Sequence, residues 1–185
     1  MGSEMCIRDR ENRELTPNEL TVVALCNEYC YAVEHCREAE PDEFVKTMLR
    51  LLPRLYIATT DIKTEDILDD DVPYIENVLD EDYYESLRHG IGDLLGPDDT
   101  YLEVFEEDMK YSDTPIAASI SEGLCDIFQS LYNFLETVRD APTEFVHASL
   151  IALQEDFRSY WSSTLCNNLR ALNHLRYNAD RDSLL

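Results

Sequence analysis

The longest regular pattern of apolar residues runs from residue 143 to about residue 177. Within it, apolar side chains return every three or four positions, which is the spacing of one face of an α-helix. The residues of this face are Phe145, Ser149, Leu150, Leu153, Phe157, Trp161, Leu165, Leu169, Leu172 and Leu175. At 1.5 Å per residue, such a helix would span roughly 50 Å. Because the apolar face follows the whole helix, we predict that the other helices pack along it.

Polar residues predict where this helix begins and where it bends. Thr143 follows a proline and is expected to be the N-cap, with Glu144 in the first turn, where the helix dipole favours a negative charge. Ser162 and Ser163 are adjacent, and paired small polar residues accompany kinks in long helices. We therefore predict a long C-terminal helix with a kink near Ser162 and Ser163.

Two helices are predicted near the start of the chain. Thr16-Pro17-Asn18-Glu19 has the pattern of a capping box, with threonine as the N-cap and proline at the first helical position. This helix should end near Arg37 or Glu38, and Pro41 opens the second helix. Pro53 lies inside the second helix and is expected to kink it or to end it early, because proline removes a backbone donor. The short connection predicts an antiparallel helical hairpin.

The middle of the chain predicts two more helices with irregular structure between them. One helix starts at Asp80 or at the next residue and reaches Leu95, where a glycine-proline pair stops it. The other starts at Asp113-Thr114-Pro115, again a cap followed by proline. Residues 98–114 are predicted to be mostly loop, although residues 101–105 alternate weakly between apolar and polar and are candidates for extended structure.

Together these patterns predict an all-α protein. The expected architecture is a single-domain, up-down bundle of about five helices with a long C-terminal helix. The helical domain is expected to cover residues 13–178. Residues 1–12 are expected to be a non-native or disordered leader, because part of this stretch resembles translated sequencing-adaptor DNA. Residues 179–185 are expected to form a frayed tail.

The formal net charge of −24 narrows the classes of partner. Binding to nucleic acid or to an anionic membrane surface requires a basic patch, so neither is expected. No apolar run approaches the ~20 residues needed to cross a membrane, and no secretory signal is recognisable. A cytoplasmic location is therefore expected by default.

Most of the negative charge lies between residues 61 and 113, which contain 19 acidic and three basic residues. A surface of this kind would attract a basic protein. The residues expected at the centre of this acidic face are Glu65, Asp66, Asp69, Asp70 and Asp71.

The six cysteines are expected to be free thiols. The chain is long enough to form a core without disulfides, and buried free cysteine packs as a small apolar residue. Cys26 and Cys30 lie on the apolar side of the first helix, and Cys125 and Cys166 lie inside later helices. Cys6 belongs to the leader. We therefore predict buried thiols in the helical core.

Potential metal ligands lack the partners that a site requires. Asp69-Asp70-Asp71 and Asp80-Glu81-Asp82 do not have the spacing of a calcium-binding EF-hand. Glu144 and His147 have the Glu-x-x-His spacing of di-iron bundles, but no second pair of this kind occurs. The cysteine spacing in the first helix does not suit zinc. No nucleophile or phosphate-loop motif occurs either, so no metal, cofactor or catalytic residue is predicted, and an enzyme is not favoured.

Asp126 and Arg170 are candidate site residues. Each lies beside the apolar face of its helix, and the two helices are consecutive in the chain. One interpretation is a partly buried ion pair between adjacent helices. The other is two unrelated charges at the rim of the core.

Two segments resemble those of a bacterial protein family. Residues 124–131 are similar to Leu-Ala-Asp-Ile-Tyr-x-Asp-Leu. Residues 157–173 are similar to Phe-Glu-x-His-Trp-Gly-x-His followed by Ala-Leu-Arg-Ala-Leu-His. Both patterns belong to the family known as domain of unknown function 5063. The resemblance implies an all-helical protein for which no activity, substrate or cofactor is assigned.

The chain departs from this family pattern at several positions. They are Tyr160, Thr164 and Asn173, where the pattern has histidine, and Ser162, where it has glycine. A histidine-based site in relatives would therefore be absent here. The residues that remain are Asp126, Trp161 and Arg170, which suit either a structural clamp between helices or the lining of a shared pocket.

These observations lead to two main expectations about function. The first is a protein-interaction or adaptor module that uses the acidic face of residues 61–113 to meet a basic partner. The alternative is a helical bundle that binds a small molecule or a metal in a pocket near Asp126, Trp161 and Arg170. A third interpretation, an acidic mimic of nucleic acid, would require carboxylates spaced like phosphates on a rigid surface.

Overall fold

The computed structural model describes residues 14–63, 72–103 and 116–177, most of which are helical. The elements are α1 (Pro17–Glu34), α2 (Pro41–Thr60), α3 (Glu81–Leu95), β1 (Thr100–Glu103), β2 (Ile116–Ser119), α4 (Ile120–Val138) and α5 (residues 143–177). Short 3-10 turns follow α1 (Cys36–Glu38) and α3 (Gly96–Asp99). The predicted all-α fold of five helices with a long C-terminal helix is confirmed, and a small strand pair is added to it.

Four of the helices form a bundle in which spatial neighbours run antiparallel. Helix α1 packs against α2 and α4, and the C-terminal half of α5 packs against the same two helices from the other side. The start of α1 meets the end of α2, where Asn18 Nδ2 donates to the Ala58 carbonyl at 2.9 Å. Tyr29, fully buried in α1, donates to the Leu124 carbonyl of α4 at 2.8 Å. Helix α3 lies outside this bundle, against α4.

The first two helices begin as the sequence predicts. Thr16 caps α1, and the reciprocal hydrogen bonds of the capping box with Glu19 are both present. Helix α2 begins at Pro41 but continues through Pro53 to Thr60, so the expectation of an early end is wrong. The reason is packing: leucines on both sides of the proline, among them Leu52 and Leu55, are fully buried and hold the helix in place.

The strand pair and the start of α4 differ in part from the prediction. Strand β1 overlaps residues 101–105, the candidates for extended structure, whereas β2, with which it pairs antiparallel, lies where the start of a helix is predicted. Helix α4 then begins at Ile120 with Ser119 as its N-cap, later than the predicted start at residues 113–115, which lie outside the described residues. Asp99 stabilises this start, because its carboxylate accepts hydrogen bonds from the Ser121 backbone amide at 2.7 Å and from the Ser119 hydroxyl at 2.8 Å.

Helix α5 is interrupted by one π-helical turn. Residues Thr143–Asp156 and Ser162–Tyr177 are α-helical, and Phe157–Trp161 between them is π-helical. The Ser162 amide donates to the Phe157 carbonyl, which is the i→i−5 bond of a π-helix. The irregularity therefore lies directly before the serine pair where we predict a kink. At the start of α5, Pro142 occupies the cap position that we predict for Thr143, and Thr143 is the first helical residue.

The side chain of a buried glutamine caps the C-terminal end of α2. Gln154, fully buried on α5, uses its Nε2 to donate hydrogen bonds to three backbone carbonyls. These belong to Thr59 at 2.9 Å, Thr60 at 3.2 Å and Ile62 at 2.9 Å. The last carbonyls of a helix lack intrahelical partners, so this side chain supplies donors where the backbone cannot.

Helices α4 and α5 approach each other closely at Gly123. A Cβ atom at this position would lie 2.0 Å from Nδ2 of Asn168, a side chain that is itself buried and donates to the Thr164 carbonyl at 3.0 Å. Only glycine therefore fits between the two helices without displacing Asn168.

The cysteine prediction is confirmed in part. Cys26, Cys30, Cys36 and Cys125 are free and buried, whereas Cys166 is exposed, so its predicted burial is wrong. Cys166 lies at the edge of the contact between α5 and α2, where it lines a shallow surface groove with Leu49 and Pro53. Burial raises the pKa of the Cys26, Cys30 and Cys125 thiols, which keeps them protonated and unreactive.

A glutamate and a histidine are buried together between α1 and α5. His147 donates from Nδ1 to the carboxylate of Glu19, and both side chains are almost completely buried. Burial by itself would raise the pKa of Glu19, but hydrogen bonds from Thr16 and His147 outweigh it, so the pKa lies below its ordinary value of 4.5. The negative charge of Glu19 is therefore part of the folded structure.

Changing Glu19 to glutamine should make the stability of the protein less sensitive to acid. Because the pKa of Glu19 is lower in the folded than in the unfolded state, its stabilising effect is complete above pH 4.5 and is lost as the pH falls through the lowered value. We expect Glu19→Gln to lower the free energy of unfolding by about 1–3 kcal/mol at pH 7, with a smaller difference near pH 3. Urea denaturation at both pH values measures this, with exposed Glu144→Gln as the control. A difference that does not depend on pH would contradict it.

Candidate functional site

Asp126, the predicted site residue on α4, lies between two tyrosines from other helices. Tyr84 of α3 donates its hydroxyl hydrogen bond to Asp126 Oδ1 at 2.8 Å. Tyr160 of α5 lies close to the same carboxylate. Partial burial of the Tyr160 hydroxyl, and the negative charge of Asp126 beside it, raise the pKa of Tyr160 to about 12. Burial and the bond to Asp126 likewise raise the pKa of Tyr84. The cluster of Asp126, Tyr84 and Tyr160 therefore joins three helices through neutral phenols and one carboxylate.

Tyr160 and Trp161, the last two residues of the π-helical turn, differ in their exposure to solvent. Tyr160 is 49% exposed, whereas Trp161 is completely buried. The indole of Trp161 packs edge-to-face on Phe157, with ring centroids 4.6 Å apart. Trp161 is therefore a residue of the hydrophobic core, and its predicted role in binding stays a prediction.

Arg170 lies away from this cluster. Among the described side chains, no ion pair joins Asp126 to Arg170, so of our two interpretations the structure supports that of separate charges. Arg170 lies between two and three turns further along α5, where it lines a groove with residues of β1 and with Ile120. The three predicted site residues are thus not brought together: Asp126 lies in the tyrosine cluster, Trp161 in the core and Arg170 beside a separate groove.

The groove beside Arg170 lies between β1 and the C-terminal part of α5, and we call it the β1–α5 groove. Its volume is about 600 Å³. It is lined by Pro97, Asp98, Thr100, Tyr101, Leu102, Glu103, Ile120, Asn167, Arg170, Ala171, His174 and Leu175. The lining therefore combines polar and charged side chains from both β1 and α5 with aliphatic ones.

A second groove, between α1 and α4, is acidic and aromatic, and we call it the acidic groove. Its volume is about 750 Å³. It is lined by Val23, Asn27, Glu28, Cys30, Tyr31, Glu34, Tyr132, Leu135, Glu136, Val138 and Arg139. The predicted acidic residues Glu65, Asp66, Asp69, Asp70 and Asp71 lie outside the described residues. Sequence analysis missed this groove because its carboxylates come from two helices that are distant in the chain.

The potential metal ligands of the sequence have other roles in the structure. His147 is buried against Glu19 while Glu144 is exposed, so Glu144 and His147 do not face a common site. Asp80 caps α3 by accepting from the backbone amides of Asp82 and Tyr83. In the part of the chain that the structure describes, no group of three or more His, Cys, Asp or Glu side chains is arranged to hold a metal ion. None of the described helices has the length and apolarity needed to cross a membrane.

Comparison with known proteins identifies the family. A family model described as a domain of unknown function, DUF5063, matches residues 13–178. The chain belongs to the DUF5063 family. The DUF5063 fold is also seen in protein BF1032 from Bacteroides fragilis, whose crystal structure is similar with a TM-score of 0.72 and 27% sequence identity, over 88% of this chain and 94% of that chain. No curated protein matches the chain.

Within the DUF5063 domain, the two segments that carry the resemblance meet at the tyrosine cluster. Asp126 comes from the first segment, and Tyr160 with Trp161 comes from the second. The family pattern has histidine at the position of Tyr160, so in this chain a phenol faces the carboxylate instead of an imidazole. Tyr84 was not predicted, because it lies on α3 and no spacing in the sequence links α3 to Asp126.

Removing the Tyr84 hydroxyl should destabilise the DUF5063 domain modestly. Tyr84→Phe deletes the hydrogen bond to the half-buried carboxylate of Asp126 but keeps the ring, so we expect a loss of about 1 kcal/mol in the free energy of unfolding. Thermal and urea denaturation measure the change. Tyr74→Phe, at a residue that is 81% exposed, is the matched control and should have no effect. Equal stability of both variants would show that the bond to Asp126 contributes nothing net.

Proposed function

We propose that this DUF5063 protein is a cytoplasmic interaction module that binds a basic segment of a partner protein in its acidic groove. The observation that carries this proposal is the combination of carboxylates and tyrosines along one concave surface. Glu28 and Glu34 of α1 face Glu136 of α4 across the groove, with Tyr31 and Tyr132 on its walls. Tyrosine rings and carboxylates both attract lysine and arginine, through cation–π contacts and charge-assisted hydrogen bonds.

The acidic groove is continuous with the acidic middle region of the chain. The Tyr83 hydroxyl of α3 donates to Glu34 Oε1 at 2.9 Å, and the Tyr83 ring lies edge-on to Tyr132, with centroids 6.3 Å apart. Tyr83 directly follows Asp80, Glu81 and Asp82, which are exposed at the start of α3. A basic segment in the groove would therefore meet further carboxylates at this end.

The carboxylates of the groove have weak partners that a basic segment can replace. Glu136 pairs with Arg139, and Glu28 pairs with Arg54 at 3.5 Å. Both arginines are exposed, and surface ion pairs of this kind contribute about 0–1 kcal/mol. A partner that also buries Tyr31, which is exposed in the free protein, gains apolar area in addition to the new ion pairs. The net charge of −24 further accelerates the approach of a basic protein.

Affinity purification from native cells tests the proposal with three charge variants. The groove variant combines Glu28→Gln, Glu34→Gln and Glu136→Gln. The control variant combines Glu38→Gln, Glu40→Gln and Glu155→Gln, which removes the same amount of charge at exposed positions outside the groove. The third variant changes the predicted acidic residues Glu65, Asp66, Asp69, Asp70 and Asp71 to their amides.

We expect the wild-type protein and the control variant to retain the same basic protein, and the groove variant to lose it. The interaction should weaken as salt concentration rises, because exposed charges are screened. Loss only in the third variant would move the binding surface to residues 65–71. Retention of identical partners by all three variants would contradict the proposal.

A further inference from the structure

We infer that the basic segment bound in the acidic groove is an amphipathic α-helix of about four turns, with an apolar face flanked by lysine or arginine. This inference rests on the proposed function and adds the form of the partner to it. The acidic groove is lined by residues of α1 and α4, two helices that pack against each other. A groove between paired helices is a common docking site for the apolar face of another helix.

The deepest part of the acidic groove is apolar. The two lining residues that are buried are Cys30 and Val138. Val23 and Leu135 are partly buried and pack against the same hydrophobic core. The exposed lining residues are instead polar, charged or tyrosine. An occupant that matches this surface has an apolar strip with polar groups beside it, which is the composition of an amphipathic helix.

The residues of α1 that follow the groove give the length of the occupant. They are three or four positions apart and therefore share one face of α1. Those that line the groove on this face are Val23, Asn27, Tyr31 and Glu34. Leu20, one turn before Val23, is 55% exposed and extends the same line. From Leu20 to Glu34 the helix rises about 21 Å, which corresponds to about four turns of a helix lying alongside.

The backbone of the occupant favours a helix over an extended chain. The groove is lined by side chains of two helices, whose backbone groups are already bonded within each helix. An extended segment would bring its own N–H and C=O groups against the apolar strip without partners, which is unfavourable for each group that is buried. A helix bonds these groups internally. Among the described residues, the strand edges that could pair with an extended segment belong to β1 and β2, which do not line this groove.

Helix α3 shows how a helix meets this pair of helices. It contacts both α4 and α1, at the end of the groove where Glu34 lies. Tyr83, in the first turn of α3, donates to Glu34 and places its ring edge-on to Phe128 and Tyr132, with centroids 6.2 and 6.3 Å away. A helix of the chain itself thus packs on aromatic residues of α4 while it bonds to a carboxylate of α1. A partner helix in the acidic groove would continue this arrangement toward Val138.

The charges of the groove favour basic residues on both sides of the apolar strip. Glu28 and Glu34 come from α1 and Glu136 comes from α4, so carboxylates lie on both of the helices that border the groove. Lysine or arginine on the two flanks of a bound helix would approach them, while its apolar face covers Val23 and Leu135. A second copy of this protein is a poor occupant, because two chains with a net charge of −24 repel each other.

Three fluorescent peptides of equal charge test the inference. Each has about 16 residues of lysine, leucine and alanine. In the amphipathic peptide, leucine recurs at every third or fourth position. The scrambled peptide has the same composition, with its leucines spread around all sides of the helix. The proline peptide keeps the amphipathic order but has proline in place of two central alanines, which prevents a continuous helix.

We expect the amphipathic peptide to bind as a helix with a Kd of about 10 μM or tighter. The scrambled and proline peptides should bind at least about tenfold more weakly, because each lacks either the apolar face or the helix that presents it. Fluorescence anisotropy measures the affinities. The Cα chemical shifts of isotope-labelled amphipathic peptide show whether it is helical when bound.

The groove variant and the control variant defined above locate the site. The groove variant should weaken binding of the amphipathic peptide about tenfold or more. The control variant loses the same charge and should change binding by about twofold at most, because distant exposed charges are screened. Circular dichroism verifies that both variants fold.

The outcomes separate this inference from the proposed function. If all three peptides bind equally and the groove variant weakens each of them, the amphipathic helix is overturned while binding of a basic segment in the groove stands. If the two protein variants weaken binding equally, both the inference and the proposed groove are contradicted. If no peptide binds, the inference is overturned, and the affinity purification decides the proposed function separately.

Discussion

Replacing Trp161 with alanine is expected to lower the free energy of unfolding by about 3–5 kcal/mol. The indole is completely buried and is the largest buried side chain of the core, so its removal leaves a large cavity. Edge-to-face packing on Phe157 is lost as well. In the described part of the chain Trp161 Nε1 has no hydrogen-bond partner, so the loss arises from packing and burial.

Urea denaturation followed by circular dichroism measures this effect, because the only tryptophan of the chain is removed and its fluorescence is lost. Tyr177→Ala, at an exposed aromatic residue near the end of the same helix, is the control and should cost less than about 1 kcal/mol. Trp161→Phe should fall between these two, because it keeps an aromatic ring against Phe157. A loss below about 1 kcal/mol for Trp161→Ala would favour the alternative that the indole contributes mainly to binding.

Changing Gln154 to glutamate is expected to destabilise the protein by about 3–5 kcal/mol at pH 7. The amide group of Gln154 is the donor for three carbonyls at the end of α2. A carboxylate at this fully buried position would provide no donor and would place a negative charge against carbonyl oxygens. The substitution changes the size of the side chain very little, so the effect isolates hydrogen bonding and charge.

The pH dependence of Gln154→Glu distinguishes these causes. The new carboxyl group would have a higher pKa in the folded than in the unfolded state, because burial disfavours its charged form. The destabilisation should therefore be smallest below about pH 4.3, where the group is neutral in both states, and should grow as the pH rises toward the folded-state value. Gln129→Glu on α4 is the control, since that side chain is partly exposed and bonds only to Asn77 among the described residues. A pH-independent loss for Gln154→Glu would rule out charge as the cause.

The apolar pattern of α5 predicts its length and its buried face, but the π-helical turn inside it was not predicted. Leu153, Phe157, Trp161 and Leu165 are all buried and follow one another at steps of four. In an α-helix of 3.6 residues per turn, each step of four drifts by about 40°, so a long run of such steps would leave the core. The wider turn absorbs this drift. The repeated spacing of four residues was the feature of the sequence that could have indicated the π-helical turn. It lies just before the serines that we use to predict a kink.

Strand β2 and the late start of α4 could not be read from local patterns, although the weak alternation of residues 101–105 indicates β1. Strand β2 has only four residues, too few for an alternation to stand out. The start of α4 depends on Asp99, which reaches Ser119 and Ser121 from about twenty positions away. A predicted cap and proline at residues 113–115 gave a stronger local signal than Ser119 did. Contacts between distant segments decided the boundary.

The candidate site was predicted only in pieces for the same reason. The periodicity of α4 and α5 identifies Asp126 and Arg170 as charges beside the core, and the family pattern adds Trp161. Which of them meet depends on how the antiparallel helices align. Gly123 of α4 lies against Asn168 of α5, so Asp126 aligns with the π-helical turn and Arg170 passes beyond it toward Ile120.

The π-helical turn also fixes the orientation of everything that follows it. A π turn accommodates one residue more than an α turn, and one residue corresponds to a rotation of about 100° about the helix axis. The second half of α5 is therefore turned by about this angle from where an uninterrupted helix would place it. With the second half of α5 turned in this way, Arg170 and His174 line a groove together with residues of β1. The direction in which this half of the helix presents its side chains thus depends on the number of residues in one turn, and an insertion or deletion of a single residue there would redirect the whole half at once.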